Sequence, residues 1–159
     1  MKKNFRFIFL IIWIPFIFQA CEKERIYQQY REVEGNEWAL EDKKSFKIDV
    51  EDTTARYNLL VQIRHKGTYP YSNIWIMLAE KNPEGKVFRT RYDLPLAEKS
   101  GKWKGQGLGD IIDHEFLVRQ EIKLPRSGTY VFSIKHDMRM DPVPDILDIG
   151  FRLDKISGR

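Results

Sequence analysis

The stretch Tyr57-Asn58-Leu59-Leu60-Val61-Gln62-Ile63-Arg64 decides the fold. Tyr57, Leu59, Val61 and Ile63 fall on one side of an extended chain, and Asn58, Leu60, Gln62 and Arg64 on the other. A period of two belongs to a strand, because successive side chains of a pleated chain point to opposite faces; a helix groups residues three and four apart. The same period runs outward in both directions. Phe46, Ile48 and Val50 alternate with Lys47, Asp49 and Glu51, and Ile74, Ile76 and Leu78 with Trp75, Met77 and Ala79. Phe116, Val118, Ile122 and Leu124 are read as one face, with Arg119, Glu121 and Lys123 opposite. Tyr130, Phe132, Ile134 and His136 form another, and Ile149, Phe151 and Leu153 close the series.

Turn chemistry separates these runs: Lys66-Gly67-Thr68, Asn82-Pro83-Glu84-Gly85, Ser100-Gly101, Pro125-Arg126-Ser127-Gly128 and Asp141-Pro142-Val143-Pro144. In Asn82-Pro83-Glu84-Gly85 the proline presets φ at the second position and the glycine accepts positive φ near the exit, so a hairpin is expected there. No long stretch keeps a period of 3.6. Short alternating strands with frequent turns predict an all-β domain, an antiparallel β-sandwich of jelly-roll or immunoglobulin-like type.

The first twenty residues read differently. Lys2, Lys3 and Arg6 precede an apolar run from Phe7 to Phe18, and Glu22 is the first acidic residue. A basic start, a short apolar stretch and small Ala20 before the cut are the parts of a secretory signal. Twelve helical residues reach about 18 Å, well short of a bilayer core of roughly 30 Å, so a permanent span is the weaker reading. The single cysteine, Cys21, follows at once. It has no internal disulfide partner, and at a signal junction it suits thioether attachment of a diacylglycerol. Residues 1–20 are thus expected as a lipoprotein signal peptide, 21–37 as a lipidated N-terminus and tether, and 38–156 as the sandwich. In 21–37, Ile26, Tyr27 and Tyr30 also suit one face of a first helical turn.

The chain carries 27 basic and 23 acidic residues. Without Lys2, Lys3 and Arg6 the balance is 24 against 23, a net charge of +1. Net charge therefore gives no argument for nucleic acid.

Chemistry-bearing patterns are sparse. His65, His114 and His136 lie in separate segments without ligand spacing, so no metal is expected. Asp137, Asp141, Asp145 and Asp148 lack the spacing of a calcium loop and read as solvated loop carboxylates. Gly105, Gly107 and Gly109 follow Trp103, but strand residues rather than a helix come next, which argues against a phosphate cradle. They read either as a close-approach segment or, with Trp103, as a partner-docking loop. Tyr69, Tyr71, Trp75 and Trp103 suit sugar stacking or ordinary packing. Glu80, Asp93, Asp110 and Glu115 show no spacing that favours a hydrolase site.

Several segments together resemble the gliding-motility lipoprotein H (GldH) family: 57–64 followed by Tyr69-Pro70-Tyr71-Ser72-Asn73-Ile74, Pro83-Glu84-Gly85-Lys86-Val87, Gly101 through Asp110, Pro125 through Tyr130, and Asp148-Ile149-Gly150-Phe151-Arg152. The resemblance covers nearly all of residues 21–156. It implies a non-enzymatic envelope lipoprotein of the Bacteroidota, tied to gliding and to the type IX secretion machinery, with Cys21 as the lipid-bearing residue. No cofactor is expected beyond that covalent lipid. Partners are expected to be other motility or secretion proteins of the envelope and, through Cys21, the membrane itself; a small-molecule ligand is not expected. The outer membrane is favoured, with the domain on its periplasmic side. Pro70, Tyr71, Trp103, Gly105, Gly107 and Gly109 are the candidates for a partner-binding face. A glycan-binding lipoprotein is the alternative function. Asp52-Thr53-Thr54 resembles an O-glycosylation acceptor of exported Bacteroidota proteins, with Thr53 the acceptor.

Overall fold

A computed structural model describes residues 23–156. Its strands are β1 (Lys23–Glu32), β2 (Glu37–Trp38), β3 (Lys44–Val50), β4 (Arg56–Lys66), β5 (Asn73–Lys81), β6 (Val87–Pro95), β7 (Gln106–Leu108), β8 (Ile111–Lys123), β9 (Gly128–His136), β10 (Val143–Pro144) and β11 (Ile146–Ile156). Among the described residues the one helical element is a 3-10 turn at Glu34–Asn36. One sheet runs β1-β11-β4-β8-β7, the second β3-β9-β5-β6, and β2 pairs with β10 as a short closing ribbon.

The pairing is nested. Among the eight long strands the first pairs with the last (β1 with β11), the second with the seventh (β3 with β9), the third with the sixth (β4 with β8) and the fourth with the fifth (β5 with β6). All four pairs are antiparallel. One long hairpin has been wound on itself into two facing sheets, which is a jelly roll rather than an immunoglobulin-like sandwich. The hairpin tip is the predicted turn: Gly85 takes φ +84°, its N–H donates to the Asn82 carbonyl at 2.9 Å, and the Asn82 side chain accepts from Lys86 N–H.

The inward faces are those expected from period two. Leu59, Val61 and Ile63 of β4, Ile149, Phe151 and Leu153 of β11, Phe46 and Ile48 of β3, Phe132 and Ile134 of β9 and Ile74, Ile76 and Leu78 of β5 are all buried. Phe151 stands at the centre, stacked on Phe132 (4.7 Å between ring centroids) and Phe46 (5.4 Å) from the opposite sheet.

Two expectations are corrected. Residues 21–37 are not a tether, as far as they are described. Lys23–Glu32 is a ten-residue strand paired along β11 from Lys23↔Ile156 to Glu32↔Asp148. Without it β11 would present an unpaired backbone edge, and pairing satisfies those groups. Tyr27, Gln29 and Arg31 share the inward parity, and Tyr27 packs on Phe151 with ring centroids 6.2 Å apart. Nor does Arg119 lie on the outer face of β8. The β4–β8 register shifts twice, between Tyr57 and Leu59 and between Leu59 and Leu60, and Glu121 takes φ +51°. These irregularities turn Arg119 inward, where its Nη1 donates to Glu80 at 2.5 Å and its other nitrogens reach Tyr92 and Thr90.

Strand polarity gives the sandwich two distinct ends. At the end where β1 begins lie the segments 51–55, 82–86 and 124–127. At the other end lie 33–43, 67–72, 96–105 and 137–145. The eleven residues of β4 separate them by about 33 Å.

Candidate docking surface at the remote end

The segments at the end remote from β1 are held by aromatic and histidine packing. His65, on the last turn-ward residues of β4, is fully buried, and His114 of β8 is 4% exposed. The register pairs Ile63 with His114 and His65 with Ile112, so the two imidazoles are diagonal neighbours. Their Nε2 atoms are 3.0 Å apart. His65 Nδ1 is 2.7 Å from the Lys66 carbonyl and must donate to it. His65 Nε2 is then the acceptor, and His114 Nε2–H donates. Both rings are neutral in this arrangement. Burial holds both pKa values below the ordinary histidine value, and the neighbouring His65 helps push His114 down to about 4. A histidine with a depressed folded pKa contributes stability above its unfolded value near 6.5 and loses it as pH falls towards the folded value. Stability is therefore expected to fall between pH 6.5 and 4. In His114→Phe, which keeps a ring against Phe116, that fall becomes shallower; chemical denaturation at a series of pH values measures it.

Trp103 meets His65 edge-on at 4.6 Å and lies 6.4 Å from Tyr69. Tyr69 is buried and its hydroxyl donates to the Asn73 carbonyl at 3.1 Å. Trp103 is fixed by a bridge to Ala97. The glycines beside it have steric causes. A Cβ on Gly105 would stand 2.5 Å from the Asp113 carbonyl and 2.8 Å from His114 Nε2, and one on Gly107 would stand 2.9 Å from Ile112 Cδ1. Gly109 takes φ +65° with open space around it. Gly105, just before β7, and Gly107 within it are thus close-approach positions. Gly105→Ala is expected to cost about 1–3 kcal/mol, since the nearest obstacle is backbone; the shift in denaturation midpoint measures it.

Pro70 is exposed and Tyr71 half-buried. The Tyr71 hydroxyl donates to the Met140 sulfur at 3.2 Å, and Trp75 N–H donates to the Met138 sulfur at 3.2 Å. With Arg91, which covers the Trp75 ring at 4.0 Å and pairs with Asp137 at 2.5 Å, they line a cleft of about 460 Å³. No periodicity or motif marks this cleft beforehand, because Met138 and Met140 come from an irregular loop. Methionine and aromatic surfaces adapt to protein partners. Pro70 and Tyr71 adjoin this patch. Trp103 belongs instead to the histidine cluster, so the candidate residues do not form one contiguous contact. The four aromatics likewise make no shared platform: Tyr69 is buried, Trp75 is capped by Arg91 and Trp103 packs on His65.

The remaining candidates disperse. Asp137 pairs with Arg91, Asp141 accepts from Leu40 N–H, Asp145 accepts from Thr68 and Asp148 pairs with Arg64. Glu80 faces Arg119, Asp93 accepts from Asn73, the Asp110 carbonyl accepts from Gly67 N–H, and Glu115 pairs with Arg152. Among the described residues no three His, Cys, Asp or Glu side chains converge as metal ligands. Thr53 sits at the opposite end, in a turn closed by the Asp52 carboxylate, which accepts from Thr54 and Ala55 and pairs with Lys155 at 2.7 Å. These bonds hold the Asp52 pKa well below the usual carboxylate range. Cys21 lies outside the described residues.

The chain is 31% identical to the gliding motility lipoprotein GldH homolog of Christiangramia forsetii, over 93% of this chain and 94% of that one. It is 27% identical to gliding motility lipoprotein GldH of Flavobacterium johnsoniae, over 86% of this chain and 88% of that protein. The model of the GldH lipoprotein family matches residues 25–153, from the first strand to the last, and the chain belongs to that family.

Proposed function

We propose that this protein is a lipid-anchored, non-enzymatic component of the gliding apparatus, associated with type IX secretion, that holds a docking surface away from the membrane. Acyl chains on Cys21 supply the anchor, on the periplasmic side of the outer membrane. The carrying observation is that β1 enters the sheet at Lys23, two residues after Cys21. Two residues span about 7 Å at most, so the domain stands directly on the headgroups. Its long axis then sets the Tyr71–Met140 patch roughly 30 Å above them. Other envelope proteins of the motility and secretion machinery are the partners this end serves. Thr53 lies at the membrane-facing end, in an accessible turn, and we read it as an O-glycan acceptor; an unmodified intact mass of the native protein would rule that out.

Deletion of the gene tests the function. Loss of colony spreading, restored by the parent chain but not by Cys21→Ser, is the expected result. Normal spreading and normal type IX export in the deletion strain would refute it.

A further inference from the structure

The outer face of the second sheet forms a grid. The ladder sets Lys47, Val131, Lys81 and Val87 side by side in one row. Ser45, Ser133, Ala79 and Arg89 make the next, and Lys135, Met77 and Arg91 the third. Lys43, one residue before β3, closes that third row. The middle of the grid is shallow because its residues are small: the Ser45 and Ser133 hydroxyls hydrogen-bond each other at 3.0 Å, beside Ala79. The result is a trough of about 600 Å³ walled by Leu40 and Glu41. Lys43, Lys81, Arg89 and Lys135 line it together with Asp137, and Lys47 and Arg91 stand in the adjoining rows of the grid. Asp137 is held by Arg91, and among the described residues no carboxylate lies within ion-pair distance of the other five cations. Five cations without an ion-pair partner among the described residues thus share one face.

We propose that this trough binds an extended acidic segment of a partner protein, laid along β9 and β5. Three features carry the proposal. The charge is complementary, and five of the six cations have no ion-pair partner among the described residues, so an anionic occupant gains from it. The small floor lets a backbone approach the sheet. Cations recur in the first and third rows and on the β6 side between them, and successive rows are about 6.8 Å apart along the strands. An extended chain repeats its side chains on each side at that same interval, so alternating carboxylates meet successive rows. The ring that a neutral sugar would stack on is not in the trough, since Trp75 lies beyond its third row under Arg91.

The proposal does not need the lipid on Cys21 or a role in gliding, so it stands or falls separately from the function proposed above. The test uses the full mature lipoprotein in detergent micelles and a fluorescent peptide of about twelve residues alternating glutamate and serine. Fluorescence anisotropy should show saturable binding that weakens with salt and is absent for the glutamine counterpart. Lys81→Gln/Arg89→Gln/Lys135→Gln and, separately, Ala79→Leu should each weaken it by on the order of tenfold. Both changes are on an outer sheet face, and circular dichroism checks that the fold is retained. Equal binding by either variant would overturn the proposal. So would saturable, variant-sensitive binding of polygalacturonate or phosphatidylglycerol vesicles in place of the peptide, which would make the trough a glycan or lipid site. Dimerisation that vanishes in the triple variant would assign the trough to a second copy and overturn it too.

Discussion

Phe151→Ala is expected to lower the melting temperature by roughly 10–20 °C. Phe151 is fully buried and links the sheets through Phe132, Phe46 and Tyr27. Removing a buried phenylalanine costs about 3–5 kcal/mol, because the lost transfer energy is joined by the cavity left behind. Sheets pinned by flanking ladders collapse poorly into such a hole. For a domain of this size each kcal/mol moves the midpoint by roughly 3–5 °C. The total stability of a domain is about 5–15 kcal/mol, so the variant approaches the limit of folding. Differential scanning calorimetry measures the effect. A shift below about 3 °C would mean that the sheets do not meet at this residue.

Glu80→Leu is expected to destabilise by about 2–3 kcal/mol, while the double change Glu80→Leu/Arg119→Met recovers most of that loss. The pair is nearly enclosed, with side-chain exposures of 10% for Glu80 and 22% for Arg119. Breaking one partner strands the other charge between the sheets. The loss stays below the full range for buried pairs because Arg119 keeps some water access and its contacts to Tyr92 and Thr90. Replacing both removes the desolvation cost along with the attraction. Urea denaturation of the two single variants and the double closes the cycle. Additive losses would show that the two side chains do not interact.

The inward faces of β3, β4, β5, β9 and β11 were legible because burial on one side imposes period two, and the turn at Asn82–Gly85 because proline and glycine fix its geometry. β1 was not legible. Its inward positions, Tyr27, Gln29 and Arg31, are mostly polar, since an edge strand covers the rim of the core, and only the free edge of β11 makes it a strand. Arg119 escaped because a bulge shifts parity without any mark in composition. The His65–His114 contact depends on the register between β4 and β8, which neither residue's neighbours reveal. The cationic trough shows the same limit: each lysine reads as an ordinary solvated position, and only the ladder brings Lys47, Lys81 and Lys135 onto one surface.

The proposed anchoring sets the jelly roll directly on a bilayer through its N-terminus. With Cys21 acylated, an introduced cysteine is the sole free thiol. Bimane placed at Ser127→Cys, at the end where β1 begins, and at Ser100→Cys, at the remote end, can each be exposed to vesicles carrying a headgroup spin label. Strong quenching at residue 127 and none at residue 100 is the predicted result. Equal quenching at both positions, or none at either, would contradict it.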